Sequence, residues 1–326
     1  MEPDPGGIMT RRRFLELGAG VAAGGAIACR RERRPLGPTD KVPVAIVRAA
    51  SYRADLLDCL LRGAAACGLE ARGKRVLVKP NLVECERGAV IHTQAEVLAA
   101  AVELFERLGA AEVRIGEGPG HRRDAFYLAE EAGYVSAIPG FEKRFTDLNR
   151  DDVARVAPFA GAAEIYLSRT ALAADLVVSV ARMKTHHWAG ATLSIKNLFG
   201  VVPGALYGWP KNQLHQLGIG RAAAGLYRIF PRSFGIVDGI VGMEGNGPVQ
   251  GRPRACGVLV MGADLAAVDS TACRVMGIDP AKIEYLRLTA DRGHLWEAQI
   301  EQRGESVAAV RTPFALIPEF GHIRLA

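Results

Sequence analysis

The segment Met183 to Gly200, MKTHHWAGATLSIKNLFG, is the densest stretch of reactive side chains in this sequence. Neutral imidazoles at His186 and His187 are ligands for a soft or borderline metal, and a partly desolvated lysine at Lys184 or Lys196 is a nucleophile or a grip for phosphate. The competing account is a polar loop that caps a helix and leaves Lys196 in solvent. A cluster of this density fits that account less easily than a lone histidine would.

Three other stretches offer complementary groups. Val78-Lys79-Pro80-Asn81 sets a cation beside an amide, suited to an anionic ligand or to a loop braced by Asn81 turn bonds. Gly116-Glu117-Gly118-Pro119-Gly120-His121-Arg122 is a glycine-rich turn that permits close ligand approach at Gly118 and offers backbone N–H groups to anions. Its spacing matches neither the G-x-G-x-x-G fingerprint nor a Walker loop. His121 suits a general base and Arg122 a carboxylate partner, unless the histidine only caps a helix. Asp238-Gly239-Ile240-Val241-Gly242-Met243-Glu244-Gly245-Asn246-Gly247-Pro248 supplies two carboxylates, Asp238 and Glu244, and the amide of Asn246. These are oxygen donors for a hard cation or a ribose, or else a solvated acidic turn. Asp264 and Asp269 flank a helix start and read as caps.

The elements that must position these residues alternate in type. Short β-branched runs at Val44 to Val47, Arg75 to Lys79 and Glu112 to Gly116 are separated by helical patterns at Arg53 to Cys67 and Gln94 to Leu108. A helix at Asp124 to Ala132 and a strand end at Phe145 to Leu148 continue the rhythm. Leu176 to Val180 is apolar almost throughout, as expected of a strand covered on both faces. Strands at Phe234 to Val237 and Cys256 to Met261 precede helices at Ala266 to Met276 and Ala281 to Asp291; the tail after Trp296 has no clear pattern. The prediction is an α/β fold with a mostly parallel, doubly wound sheet and covering helices. Each polar stretch then falls after a strand, where such sheets bind ligands.

Composition narrows the function classes. With 326 residues, 49% hydrophobic and 23% charged, the chain has material for a substantial core. Its +6 charge comes largely from arginines near the N-terminus, and aromatics are only 6%, so no nucleic-acid partner is expected. Six cysteines contain no C-x-x-C pair, which excludes a zinc knuckle or an iron-sulfur ligand run. Cys59 and Cys67 read as small core residues, and other disulfide pairings stay open.

Thr10-Arg11-Arg12-Arg13-Phe14-Leu15, the apolar Gly/Ala run to Ala28 and then Cys29 have the order of an export signal. The pattern resembles the twin-arginine consensus, with Glu16 a departure, and implies the twin-arginine translocase as a partner. Ala26-Ile27-Ala28-Cys29 also matches a lipidation box weakly, so membrane contact is expected only through the signal or a lipid at Cys29. The expected organisation is a signal at 1–29, a Pro- and Arg-rich linker at 30–43, an α/β domain at 44–295 and an extension at 296–326. Localisation is expected in the periplasm or on the outer face of the cytoplasmic membrane.

VLVKPNLV, the run from His92, KTHHWAGATLSIKNLFG, DGIVGMEGNGP and DLAAVDSTACRVMG together resemble the bacterial and archaeal family called domain of unknown function 362, over about residues 44 to 290. Many members of that family carry a ferredoxin-like cluster domain, whose cysteines are missing here. A fainter resemblance is to the nickel-dependent lactate racemases, through Gly120-His121-Arg122 and the pair His186 and Lys196 ahead of Pro203-Gly204. It implies a lactate-racemase-like fold in which Lys196 holds a metal-nucleotide cofactor, His186 binds the metal and His121 moves a proton. Ser194-Ile195 departs from the glycine pair of that pattern, and His215 lies only near a further metal histidine.

The sequence thus predicts an exported enzyme with a metal ion or metal-nucleotide cofactor, acting on a small acid by racemisation or redox chemistry. His121 and Lys196 are the catalytic candidates. Lys79, Asn81, Gly118, Lys184, Lys196, Asn197, Asp238, Glu244 and Asn246 are the binding candidates, and His186, His187 and His215 the metal candidates. The alternative is a non-catalytic periplasmic binding or cofactor-delivery protein; a purely structural module accounts less well for polar residues at so many strand exits.

Overall fold

A computed structural model of the protein describes residues 41–84, 86, 88–120 and 124–325. The export signal, the linker as far as Asp40, Cys29, Cys85, His121 and Arg122 lie outside the described residues.

The described strands are β1 (Val42–Arg48), β2 (Arg75–Pro80), β3 (Glu112–Glu117), β4 (Phe145–Asp147), β5 (Val153–Val156), β6 (Ile165–Ser168), β7 (Leu176–His186), β8 (Gly190–Thr192), β9 (Ser233–Glu244), β10 (Arg252–Gly262) and β11 (Ile300–Gly304). Nine form one sheet in the order β11-β1-β10-β9-β7-β2-β3-β4, with β8 folded back on β7. The run β9-β7-β2-β3-β4 is parallel throughout, while β10 is antiparallel to both β9 and β1. The sheet is therefore mostly parallel, as expected, with an antiparallel insertion that the sequence pattern did not reveal.

Strand alternation assigns the two faces. Val76, Val78, Val178, Val180 and Ile236 pack with the helices α1 (Leu56–Ala66) and α2 (Ala95–Arg107) and with α3 (Ala125–Glu131). Leu77, Val177, Ala181, Met183 and Val237 pack on the other face, together with side chains from two later helices, which we label α5 (Ile219–Ile229) and α6 (Leu265–Val275). Between β8 and α5 lies the one-turn helix α4 (Ser194–Asn197). Side-chain caps set several helix starts: Asp55 accepts from Asp58 N, Asp124 from Tyr127 N, and Asp264 from Ala266 N and Ala267 N.

β2 is followed outward by β3 and β4, after which the chain returns to lay β7 along the other side of β2. A crevice opens at such a reversal, because the flanking connections leave in opposite directions. It falls at the carboxyl ends of β2 and β7.

Several elements differ from the sequence expectation. β7 and β9 continue to His186 and Glu244, so Lys184, His186, Asp238 and Glu244 belong to strands rather than to loops after them. The charges that seemed to end these strands are neutralised across the sheet. Arg182 and Asp238 are register partners, almost wholly buried, with Nη1 to Oδ2 at 2.7 Å. The Tyr52 hydroxyl also donates to Asp238 and accepts from Val241 N. The stretch expected as one helix from Ala281 to Asp291 is a 3-10 turn, Pro280–Lys282, and a short helix, Glu284–Arg287, with Asp279 capping the first. The tail after Trp296 supplies β11, an edge strand parallel to β1. Cys59, Cys67, Cys256 and Cys273 are free thiols.

Removal of one partner from a buried ion pair leaves the other charge out of water and unpaired. Asp238→Ala is therefore expected to lower the unfolding free energy by about 3–5 kcal/mol in denaturant titration, against less than about 1 kcal/mol for Asp58→Ala at an exposed pair.

Candidate functional site

A cavity of about 430 Å³ opens at the carboxyl ends of β2, β3 and β7. Its floor comes from Lys79, Asn81, Glu117 and Gly118 at the strand exits, and its walls from the α4 turn, Phe199 and Lys211. His186, His187, Trp188 and His215 line it as well, with Asn246 and Gln250 from the β9–β10 connection. A smaller pocket of about 250 Å³ at the opposite end of β2 and β3 has charges that largely pair with one another, as in Arg75–Asp175 and Arg114–Glu112.

The floor is a buried polar network. Lys79 Nζ donates to Glu117 Oε2 at 2.7 Å, to Pro80 O at 3.0 Å and to Asn197 Oδ1 at 3.3 Å, so its three N–H groups are all used. Glu117 also accepts from Leu82 N and Gly118 N. Asn197 donates to Lys79 O and Ser179 Oγ and accepts from Asn81 Nδ2, which fastens α4 to β2 and β7. Gly200 lies against this network: a Cβ there would stand 1.9 Å from Glu117 Oε1 and 2.5 Å from Lys79 Nζ. Lys79 thus braces the floor as the partner of Glu117.

Two amines of the cavity form no ion pair among the described residues. Lys211 Nζ donates to Gly118 O at 2.7 Å and Phe199 O at 3.2 Å, which leaves one N–H. Its backbone sits at φ +66°, a left-handed conformation that costs a non-glycine residue about 1 kcal/mol or more. Lys196 Nζ stands 3.7 Å from the centroid of the Phe199 ring and has no hydrogen bond or ion pair among the described residues. Burial brings the Lys196 amine down to about 7, with the Lys79 charge adding to the effect. Burial likewise lowers Lys211 to about 7, against the opposing pull of Glu117. Asp269 positions the lysine turn from α6 by accepting from Ser194 N, Ser194 Oγ and Ile195 N, and burial raises its carboxyl to about 7.

The histidines share the cavity without forming the metal site expected of them. Among the described residues, no three His, Cys, Asp or Glu side chains are grouped to hold a metal ion. His186 Nδ1 accepts from Trp188 N at 3.0 Å and Ala189 N at 3.2 Å. Burial, aided by Lys196 and other neighbouring cations, lowers this imidazole to about 2, so the ring is neutral and the hydrogen-bond network assigns its proton to Nε2. Both nitrogens are then unsuited to a metal. His187 Nδ1 donates to Gly247 O at 2.7 Å, and His215 Nδ1 lies 3.4 Å from Lys211 O. His186 is thus not placed as a metal ligand, and the amines beside it offer N–H groups to an anion.

Of the other expected binding residues, Lys79, Asn81, Gly118, Lys196, Asn197 and Asn246 come together at the cavity. Lys184, Asp238 and Glu244 do not line it. Lys184 Nζ is buried against Ile91 O and Pro248 O; Asp238 is paired with Arg182; Glu244 is held by Arg252 and Ala315 N. The sequence reading missed the roles of Glu117, Phe199 and Lys211. Glu117 lay within a quoted motif, whereas Lys211 had no signal beyond Trp209-Pro210 before it.

The sign of the lysine effect is testable. A lysine lowered to about 7 when folded and ordinary when unfolded makes the unfolded state bind more protons between pH 7 and about 10, so its contribution to stability rises with pH there. Wild-type protein is expected to gain stability relative to Lys196→Met by about 1 kcal/mol per pH unit over that window, read by denaturant titration at each pH.

A family described as Domain of unknown function (DUF362) matches residues 76–274. A thylakoid-associated protein of Synechocystis sp. is 31% identical over 253 residues, 74% of this chain and 76% of that protein. The lactate racemase apoprotein from Thermoanaerobacterium thermosaccharolyticum is similar in structure at 13% identity and a TM-score of 0.47, over 73% of this chain and 58% of that one. The chain thus spans less than two thirds of the racemase's length. The match in sequence runs from β2 into α6 and takes in the strand exits that build the cavity, and on it the chain belongs to the DUF362 family.

Proposed function

We propose that this protein is an exported enzyme that takes a small acidic molecule, a carboxylate or a phosphate ester, into the cavity above β2 and β7. The observation that carries the reading is the pair of amines, Lys196 and Lys211, which line one cavity and, among the described residues, have no carboxylate bonded to either. Charged in an apolar wall, such amines are costly; an anion between them restores the balance. Asn81 Oδ1, buried with no partner, adds an acceptor for a hydroxyl or N–H of the same ligand.

Export rests on the twin-arginine pattern at Arg11 and Arg12, and the thylakoid association of the Synechocystis relative is in keeping with a place beside a membrane. A delivery or binding protein would use the same cavity. Lys196 favours catalysis over storage, because its amine is brought near neutrality by burial while Asp269 and Asn197 hold its turn in place.

Anion binding at these lysines requires their protonated forms, so affinity is expected to fall by up to about tenfold per pH unit and per amine above pH 7. Calorimetric titration with small mono- and dicarboxylates and phosphate esters at pH 6 and pH 9 reads this directly. Lys211→Met is expected to weaken binding at least tenfold at pH 6, with Lys211→Arg retaining part of it. Absence of anion binding at pH 6, or binding indifferent to pH and to Lys211, would show the reading to be wrong.

A further inference from the structure

We propose that Lys196 condenses with the carbonyl of a 2-oxo acid to form an imine, while Lys211 holds the acid's carboxylate. The inference rests on the acid-binding reading above and goes on to name the substrate class and the nucleophile.

Lys196 differs from the other buried lysines around the cavity in what its nitrogen touches. Lys79 bonds to Glu117, Pro80 O and Asn197, Lys184 to Ile91 O and Pro248 O, and Lys211 to Gly118 O and Phe199 O. Each of those amines is anchored by acceptors. Among the described residues, Lys196 Nζ bonds to no acceptor and lies over the face of Phe199. Its stem is nevertheless fixed, since Asp269 grips the amides of Ser194 and Ile195 on one side and Asn197 is tied to β2 and β7 on the other. An amine on a rigid base, without acceptors and facing a cavity, is arranged to react.

Nucleophilic addition needs the neutral amine. Burial and the charge of Lys79 supply it near neutral pH, and the Lys79–Glu117 pair keeps that charge in place. Lys211 retains one N–H for the carboxylate, which would set the adjacent carbonyl carbon before Lys196. The nitrogen lone pair forms the C–N bond as the carbonyl π pair moves to oxygen, giving a carbinolamine. Both amine hydrogens then leave with that oxygen as water, and the C=N bond completes the imine. The orphaned Asn81 Oδ1 is an acceptor in the same cavity for the carbinolamine hydroxyl or the departing water.

The test incubates the folded full chain separately with pyruvate, 2-oxoglutarate and phenylpyruvate in the presence of sodium cyanoborohydride, followed by intact mass and peptide mapping. The expected result is one adduct per chain, equal to the acid less water plus two hydrogens, located on Lys196. It should form fastest near pH 7, where neutral Lys196 and protonated Lys211 coexist, slow at pH 5 and pH 9, and be absent from Lys196→Met protein whose circular dichroism matches wild type. Mapping on wild type needs no variant, so a misfolded Lys196→Met would not blunt the result. Lactate, which has no ketone carbonyl, serves as the binding control by calorimetry. If lactate binds but no oxo acid is trapped, or the adduct maps to other lysines, the imine is overturned while acid binding stands. If no acid is trapped and lactate and the oxo acids all fail to bind, both readings fall together.

Discussion

The ion pair between Lys79 and Glu117 sets the terms for everything above it. It joins the ends of adjacent strands, out of water, and its nitrogen is fully engaged with acceptors. A buried carboxylate bound to one lysine cannot serve two others as closely, so Lys196 and Lys211 stand in the same cavity with a charge deficit. Glycine at position 200 lets the chain close over the pair. Without that close approach, the α4 turn and its lysine could not lie against the floor.

The sheet makes this arrangement rigid. A switch point places β2 beside β7, and the loops leaving them diverge around the crevice. Asp269 then acts across the layers, from α6 to the amides of the lysine turn, while Asn197 reaches back to both strands. A second buried pair, Arg182–Asp238, with Tyr52 at its side, joins β7 to β9 and lies farther toward the carboxyl ends of the strands than Lys79, whose register partner is Ser179. Two internal ion pairs thus occur in neighbouring strand pairs of one sheet. Lys79–Glu117 lines the cavity, and Arg182–Asp238 is closed within the fold.

Alternating β-branched and helical stretches were enough to read the order of the first strands and helices and the location of the site at strand exits. Lys79 and Asn81 were legible at the end of an apolar run, and Lys196 and Asn197 through the density of reactive side chains from Met183 to Gly200. Asp238 and Lys184 misled for the same reason: a charge after an apolar run reads as a strand end, whereas here pairing across the sheet allows the strand to continue. The histidines misled differently. Their types suit a metal, but the direction of two backbone N–H groups toward His186 Nδ1 gives that ring a donor's role, which no spacing expresses. Lys211 is invisible in sequence because its function depends on a left-handed backbone and on two carbonyls distant in the chain.

The central claim is that two partly neutral amines wait for an anion. Calorimetry of the same acid titration at pH 8, in two buffers with different ionisation enthalpies, measures the protons taken up on binding. The account predicts net uptake approaching one proton or more for each lactate bound, because the anion raises both amines from about 7. Binding with no proton uptake would mean that Lys196 and Lys211 were already charged, and would contradict it.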